Sequence, residues 1–272
     1  MKNIFTINIE TKQRGRDAFL IRRADGTLKA QYDEKEKWFG EASKKRVWPL
    51  AYLSYFFLIC GALFCILFAI KGDDRSFAQA HAAFGWALYV GIAGIVLGVA
   101  FLLAARIRLR KLVTCPQALK VAREADALEE EIAKRLCVPE DSAELDILCL
   151  PYTLKKGKEE FQDECYDNLP MRVFVEDGNL CFADVVGVWG FPLSAVTAIV
   201  PCRERVKISA WNKEEACDAP QYRQTVKVSK GECVVQGYYS LQSKCGDEEW
   251  EVLIPAYDGE TICALIGKPP AA

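Results

Sequence analysis

Three acidic doublets are the first residues in this chain whose types suggest chemistry: Glu159-Glu160, Glu214-Glu215 and Glu248-Glu249. Paired carboxylates can exchange protons or hold a divalent cation. Neighbouring residues on a strand point to opposite faces, however. No His or Asp cluster accompanies any doublet, so a solvated surface is the expected role. The single histidine, His81, lies at one end of a long apolar run. A proton relay there would need further ionisable groups inside the run, and it has none. His81 is therefore expected to be a polar interfacial residue. The chain has 12 cysteines, with no C-x-x-C pair, so a zinc cluster is not expected and the thiols read as small buried hydrophobes. There is no G-x-S-x-G, P-loop, H-E-x-x-H or glycine-rich dinucleotide turn. One histidine outside the soluble part leaves no Ser–His or Cys–His pair. The sequence predicts no enzyme, cofactor or metal, with lysine- or carboxylate-only chemistry as the remaining catalytic alternative.

Two other sets suggest binding. Arg106, Arg108, Arg110 and Lys111 form a basic step directly after an apolar run. They can hold anionic lipid headgroups, as can the basic N-terminal arm, at about 1 kcal/mol per well-placed cation. The bland reading is that they only set topology. Trp211, Asn212, Lys213, Tyr222, Tyr238, Tyr239 and Tyr257 are the aromatic-polar set of the C-terminal half. Such residues can line a groove for a protein partner, against ordinary core and turn packing.

The elements that must position these residues begin with two uncharged apolar runs, 47–70 and 82–105, each of 24 residues. As helices each is about 36 Å long, enough for a hydrocarbon core of about 30 Å. The predicted protein is a two-span membrane hairpin. Residues 1–49 carry 12 basic against 7 acidic side chains. The step at 106–111 adds four cations, and the connector 71–81 is balanced. The positive-inside rule then puts both termini in the cytoplasm, in an inner membrane. The first run starts too late for a cleavable signal. Gly91, Gly94 and Gly98 mark a packing face on the second span. Its simplest partner is the first span, with a homo-oligomer as the alternative.

The arm 1–46 shows a strand-like start, Asp25-Gly26 as a hairpin turn signal, and a charged helix-compatible stretch over 33–46. Residues 106–140 read as the basic exit followed by an amphipathic helix, whose stripe is Val121, Ala125, Leu128, Ile132 and Leu136. Residues 155–170 read as a surface loop. Strands are expected near 145–154, 171–176, 179–185, 192–200, 204–210, 223–229, 232–242 and 248–254, then a helix over 257–267. The fold class is α+β: a membrane hairpin plus an antiparallel β domain over 143–268. Residues 145–272 carry 13 basic against 20 acidic side chains, which disfavours nucleic acid as a partner.

Four stretches carry a resemblance: Phe191-Pro192-Leu193-Ser194-Ala195-Val196-Thr197-Ala198-Ile199, Arg205 through Lys213, Gly237-Tyr238-Tyr239-Ser240-Leu241 and Ile254-Pro255-Ala256-Tyr257. With the order of arm, spans, basic exit, amphipathic helix and β domain, the chain resembles bacterial YcxB-like membrane proteins. The strand series closed by a helix is similar to a pleckstrin-homology-like (PH-like) barrel. The layout and the missing catalytic motifs predict a membrane-tethered, non-catalytic module presenting a protein- or lipid-binding surface to the cytoplasm. An accessory subunit of a transporter is the alternative.

Overall fold

The computed structural model describes residues 1–72, 76–161, 166–209, 226–229, 232–235 and 237–270. The chain divides into two compact units, Ala30–Leu128 and Met1–Lys29 with Glu129–Ala272. The expected arm is thus divided at Lys29, because its first residues pair with strands of the C-terminal half.

The helical unit holds most of α1 (Gly26–Arg46), then α2 (Trp48–Gly72), α3 (Phe77–Val113) and the first part of α4 (Pro116–Arg135). α2 and α3 are long and apolar enough to cross a membrane, and few of their residues are buried. Ser76 caps α3: its hydroxyl accepts from Gln79 N at 3.4 Å, and Gln79 Oε1 accepts from Ser76 N at 3.3 Å. That reciprocal pair satisfies two otherwise orphaned donors. α3 does not stop at the cations. It continues unbroken through Arg106–Lys111 to Val113, since Arg, Lys and Leu are all good helix formers. Asp25-Gly26 is not a hairpin turn. Asp25 Oδ1 accepts from Thr27 N at 2.8 Å and Leu28 N at 3.1 Å, so the carboxylate caps α1. These bonds hold the Asp25 carboxyl below its ordinary pKa.

The glycines of α3 face α2. A Cβ on Gly91 would lie 2.5 Å from Cys65 Sγ, and one on Gly98 would lie 2.6 Å from Leu58 Cγ. A Cβ on Gly94 would lie 3.0 Å from Gly61 Cα. Ser54 donates from Oγ to the Gly98 carbonyl at 2.8 Å, fully buried between the two helices. Small residues and one interhelical hydrogen bond are the means by which helices pack where water supplies no drive.

The β unit is built on β4 (Ala143–Lys155), β6 (Tyr166–Glu176), β7 (Asn179–Ala183), β8 (Gly187–Pro192), β9 (Val196–Cys202), β13 (Tyr238–Cys245) and β14 (Glu248–Pro255). Their hydrogen-bonded order is β8-β7-β6-β4-β14-β13-β9, antiparallel throughout. Among the described residues the sheet is open: β9 pairs with β13 alone, and β8 pairs outward with β3 (Leu20–Arg23). The N-terminal strands β1 (Lys2–Asn3) and β2 (Thr6–Asn8) run parallel to β14 and β4. β10 (Val206–Ser209) joins the start of β6 in parallel, followed by β12 (Glu232–Val235) and β11 (Val226–Ser229). The expected loop 155–170 is instead β5 (Lys158–Phe161), a hairpin on β4, and the start of β6. The turn Lys156-Gly157 carries φ of 51° and 77°, the geometry of a two-residue hairpin.

Alternation fills the inner face. Leu145, Ile147 and Cys149 of β4, Met171 and Val173 of β6, Leu180 and Phe182 of β7 and Trp189 and Phe191 of β8 share one core with Val252 and Ile254 of β14. α5 (Gly259–Ile266) adds Ile262 and Ile266 to that core.

Candidate lipid-contact site

The basic step stands on a braced helix end. Ala105 and Leu112 of α3 are buried with Val47, against Trp38 and Ala42 of α1, Leu50 of α2 and Cys115. Residues seven apart lie on one helix face, so this packing fixes which way the intervening side chains project. Arg106, Arg108, Arg110 and Lys111 are all exposed. Between them Ile107, at 55% exposure, and Leu109, at 37%, are exposed too. Cations interleaved with bare apolar side chains suit the boundary between hydrocarbon and headgroups, where long stems lie along apolar surface and charges reach outward. Lys45 and Arg46 add two exposed cations at the end of α1.

The cations of this cluster have no carboxylate beside them. Among the described residues Lys45, Arg46, Arg106, Arg108, Arg110 and Lys111 make no ion pair. Elsewhere in the helical unit, Lys35 binds Glu124 at 2.6 Å and Lys44 binds Glu41 at 2.9 Å. Those contacts hold Glu124 and Glu41 below the usual carboxylate range.

Several cations of the first 29 residues are paired with carboxylates of the β unit. Lys2 meets Glu248 at 2.5 Å, and Arg14 lies 3.6 Å from Asp184. Arg16 grips Glu159 at 2.6 and 3.0 Å, and Arg22 grips Glu176 at 2.6 and 3.3 Å. The doublet residues Glu159 and Glu248 are thereby explained as ion-pair partners. Glu214 and Glu215 lie outside the described residues.

The described members of the aromatic set divide over two faces. Tyr238 and Tyr257 pack on a second apolar cluster of Leu148, Val206, Ile208, Val235 and Leu253. Burial, then the Cys202 thiol beside it, pushes the Tyr238 phenol above its ordinary pKa. Tyr239, next along β13, points the other way onto the main core, its ring over Gly259 at the start of α5. Trp211, Asn212, Lys213 and Tyr222 lie outside the described residues.

Sequence reasoning missed the buried carboxylates. Asp258 Oδ2 accepts from Asp146 N at 2.8 Å, and Tyr257 donates to Asp146 Oδ2 at 2.5 Å. Burial pushes the Asp258 carboxyl up to about 6. Asp184 is buried at a turn, accepting from Val186 N at 2.6 Å and Gly187 N at 3.2 Å, and burial raises it as well. Turn-forming Asp residues carry no sequence mark that separates a buried carboxylate from an exposed one. Burial also drives the Cys149 thiol up to about 12, which makes it inert. His81 hydrogen-bonds through Nε2 to Tyr89 Oη at 2.9 Å and stacks on Phe77. Comparison with protein-family models, curated proteins and solved structures finds no match.

Proposed function

We propose that this chain is a membrane-anchored, non-catalytic interaction module. α2 and α3 anchor it in an inner membrane, the collar touches anionic headgroups, and a PH-like β domain offers its surface to a cytoplasmic protein partner. The observation that carries this reading is the unpaired collar at the end of two long, exposed apolar helices. Bare apolar surface on that scale is stable in lipid and not in water. Clustered cations left without carboxylates beside exposed apolar side chains are suited to phosphates. The antiparallel strand series closed by α5 over a filled core supports the PH-like reading. A transporter subunit docking through the glycines would need a face that α2 already covers.

The test compares the intact chain with an R106Q/R108Q/R110Q/K111Q variant in phosphatidylcholine nanodiscs, with and without phosphatidylglycerol. Anionic lipid should stabilise the native chain by up to about 4 kcal/mol, at about 1 kcal/mol per cation. The variant should lose most of that gain, and salt should weaken what remains. An equal response of both proteins would leave the collar as a topology signal only.

A further inference from the structure

β4 and β14 pair at a single register position, Leu148 opposite Leu253. Beyond that point the strands part, and residues 2–8 occupy the fork. β1 enters parallel to β14, with Lys2 opposite Trp250 and Asn3 opposite Glu251. β2 leaves parallel to β4, with Thr6, Ile7 and Asn8 opposite Leu150, Pro151 and Tyr152. At the bend Ile4 N donates to the Glu251 carbonyl at 2.9 Å, and Leu150 N donates to the Phe5 carbonyl at 3.1 Å. Ile4 and Phe5 are fully buried there. The Phe5 ring meets Phe182 at 5.3 Å and Trp189 at 5.8 Å, edge-on to both.

This is how a groove holds a peptide: backbone pairing on both sides and one aliphatic–aromatic anchor between. The segment continues into the exposed turn at 10–13, where Lys12 has φ +57°. It is held to the residues beyond by Asn8 N to the Gln13 carbonyl at 3.0 Å, Gly15 N to the Thr6 carbonyl at 2.9 Å and the antiparallel bridge of Ile7 with Arg14, bonds that an identical segment would re-form. Its fit is incomplete, since both polar atoms of the Asn3 side chain are buried without a hydrogen-bond partner. An unsatisfied buried amide loosens its own segment.

We propose that the fork between β4 and β14 is a peptide-receiving site whose resident ligand is residues 2–8, and that it takes the same segment from a second copy of this chain. A second copy carries identical anchors, and the turn at 10–13 is the hinge that such an exchange requires. Recognition rests on the Ile4-Phe5 pair and on the free backbone to either side, with Lys2 reaching Glu248 at the mouth. The proposal concerns the β unit and does not depend on the membrane reading.

The test inserts a protease site after Lys12 of the full-length chain and cleaves it in detergent. Residues 1–12 should stay bound on gel filtration and then exchange with a fluorescent peptide of the same sequence. A peptide carrying Phe5→Asp should bind about a hundredfold more weakly. One carrying Asn3→Val should dissociate about tenfold more slowly. Should the cut chain aggregate, added peptide should rescue it. The proposal is overturned if the released arm departs while thermal stability is unchanged, if the labelled peptide never displaces the resident arm, or if rescue fails.

Discussion

Phe5→Ala tests whether the N-terminal segment belongs to the core of the β unit. Phe5 is fully buried and meets two aromatic rings edge-on. Removing a buried Phe side chain costs about 3–5 kcal/mol, transfer and cavity combined. A domain of this size is stable by only about 5–15 kcal/mol. Each kcal/mol moves the midpoint by about 2–4 °C in a domain of 150–250 residues. The expected fall is therefore about 6–20 °C. The assay is thermal unfolding of the full chain in detergent, followed by near-ultraviolet circular dichroism. Trp189 and Trp250 of the core report on the β unit. Leu154→Ala is the control, because Leu154 is 48% exposed and its loss should move the midpoint by less than about 2 °C. If Phe5→Ala behaves like Leu154→Ala, the arm is not a core strand and the fork is not its seat.

Gly98→Leu should separate α2 from α3, because even a Cβ would sit 2.6 Å from Leu58. The expected cost is about 1–3 kcal/mol or more, read as earlier loss of helical signal in detergent, whereas Gly40→Ala, with open space around its Cβ, should have little effect. Asp258→Asn should raise the melting temperature at pH 7.5. The native carboxyl holds its proton up to about 6, above its ordinary 3.8. Its contribution is full below about pH 4 and is lost as pH climbs toward 6. The amide removes that loss and still accepts from Asp146 N, so native and variant chains should converge near pH 4. Gly178→Ala should cost about 1 kcal/mol of β-unit stability through backbone strain, because Gly178 has φ +76° and nothing near its Cβ.

The two apolar runs were legible because a charge-free stretch of that length has few other uses, and the glycine face was legible from spacing. Strand positions followed from alternation, and Asp177-Gly178 is a hairpin turn: Asp177 at φ 49° and Gly178 at φ 76° join β6 to β7. The same dipeptide at Asp25-Gly26 starts a helix. The difference lies in the neighbouring residues. Thr27-Leu28-Lys29-Ala30 continues as a helix, whereas Gly178 leads into an alternating strand, and a carboxylate serves either end equally well. The collar was legible as charge. The ion pairs of the arm were not legible, because the partners of Arg16 and Arg22 lie 143 and 154 residues away in sequence. The half-buried pair Asp146 and Asp258 escaped for the same reason, their contact spanning 112 residues. Tyr238 and Tyr239 fell on opposite faces simply because they are consecutive on a strand.

The proposed membrane sidedness is tested most directly at Cys137, an exposed thiol just after α4. A maleimide that cannot cross membranes should leave Cys137 unmodified in intact cells and label it once the cells are opened, with Cys137→Ala as the blank. Labelling of Cys137 in intact cells would contradict a module whose collar and β domain face the cytoplasm.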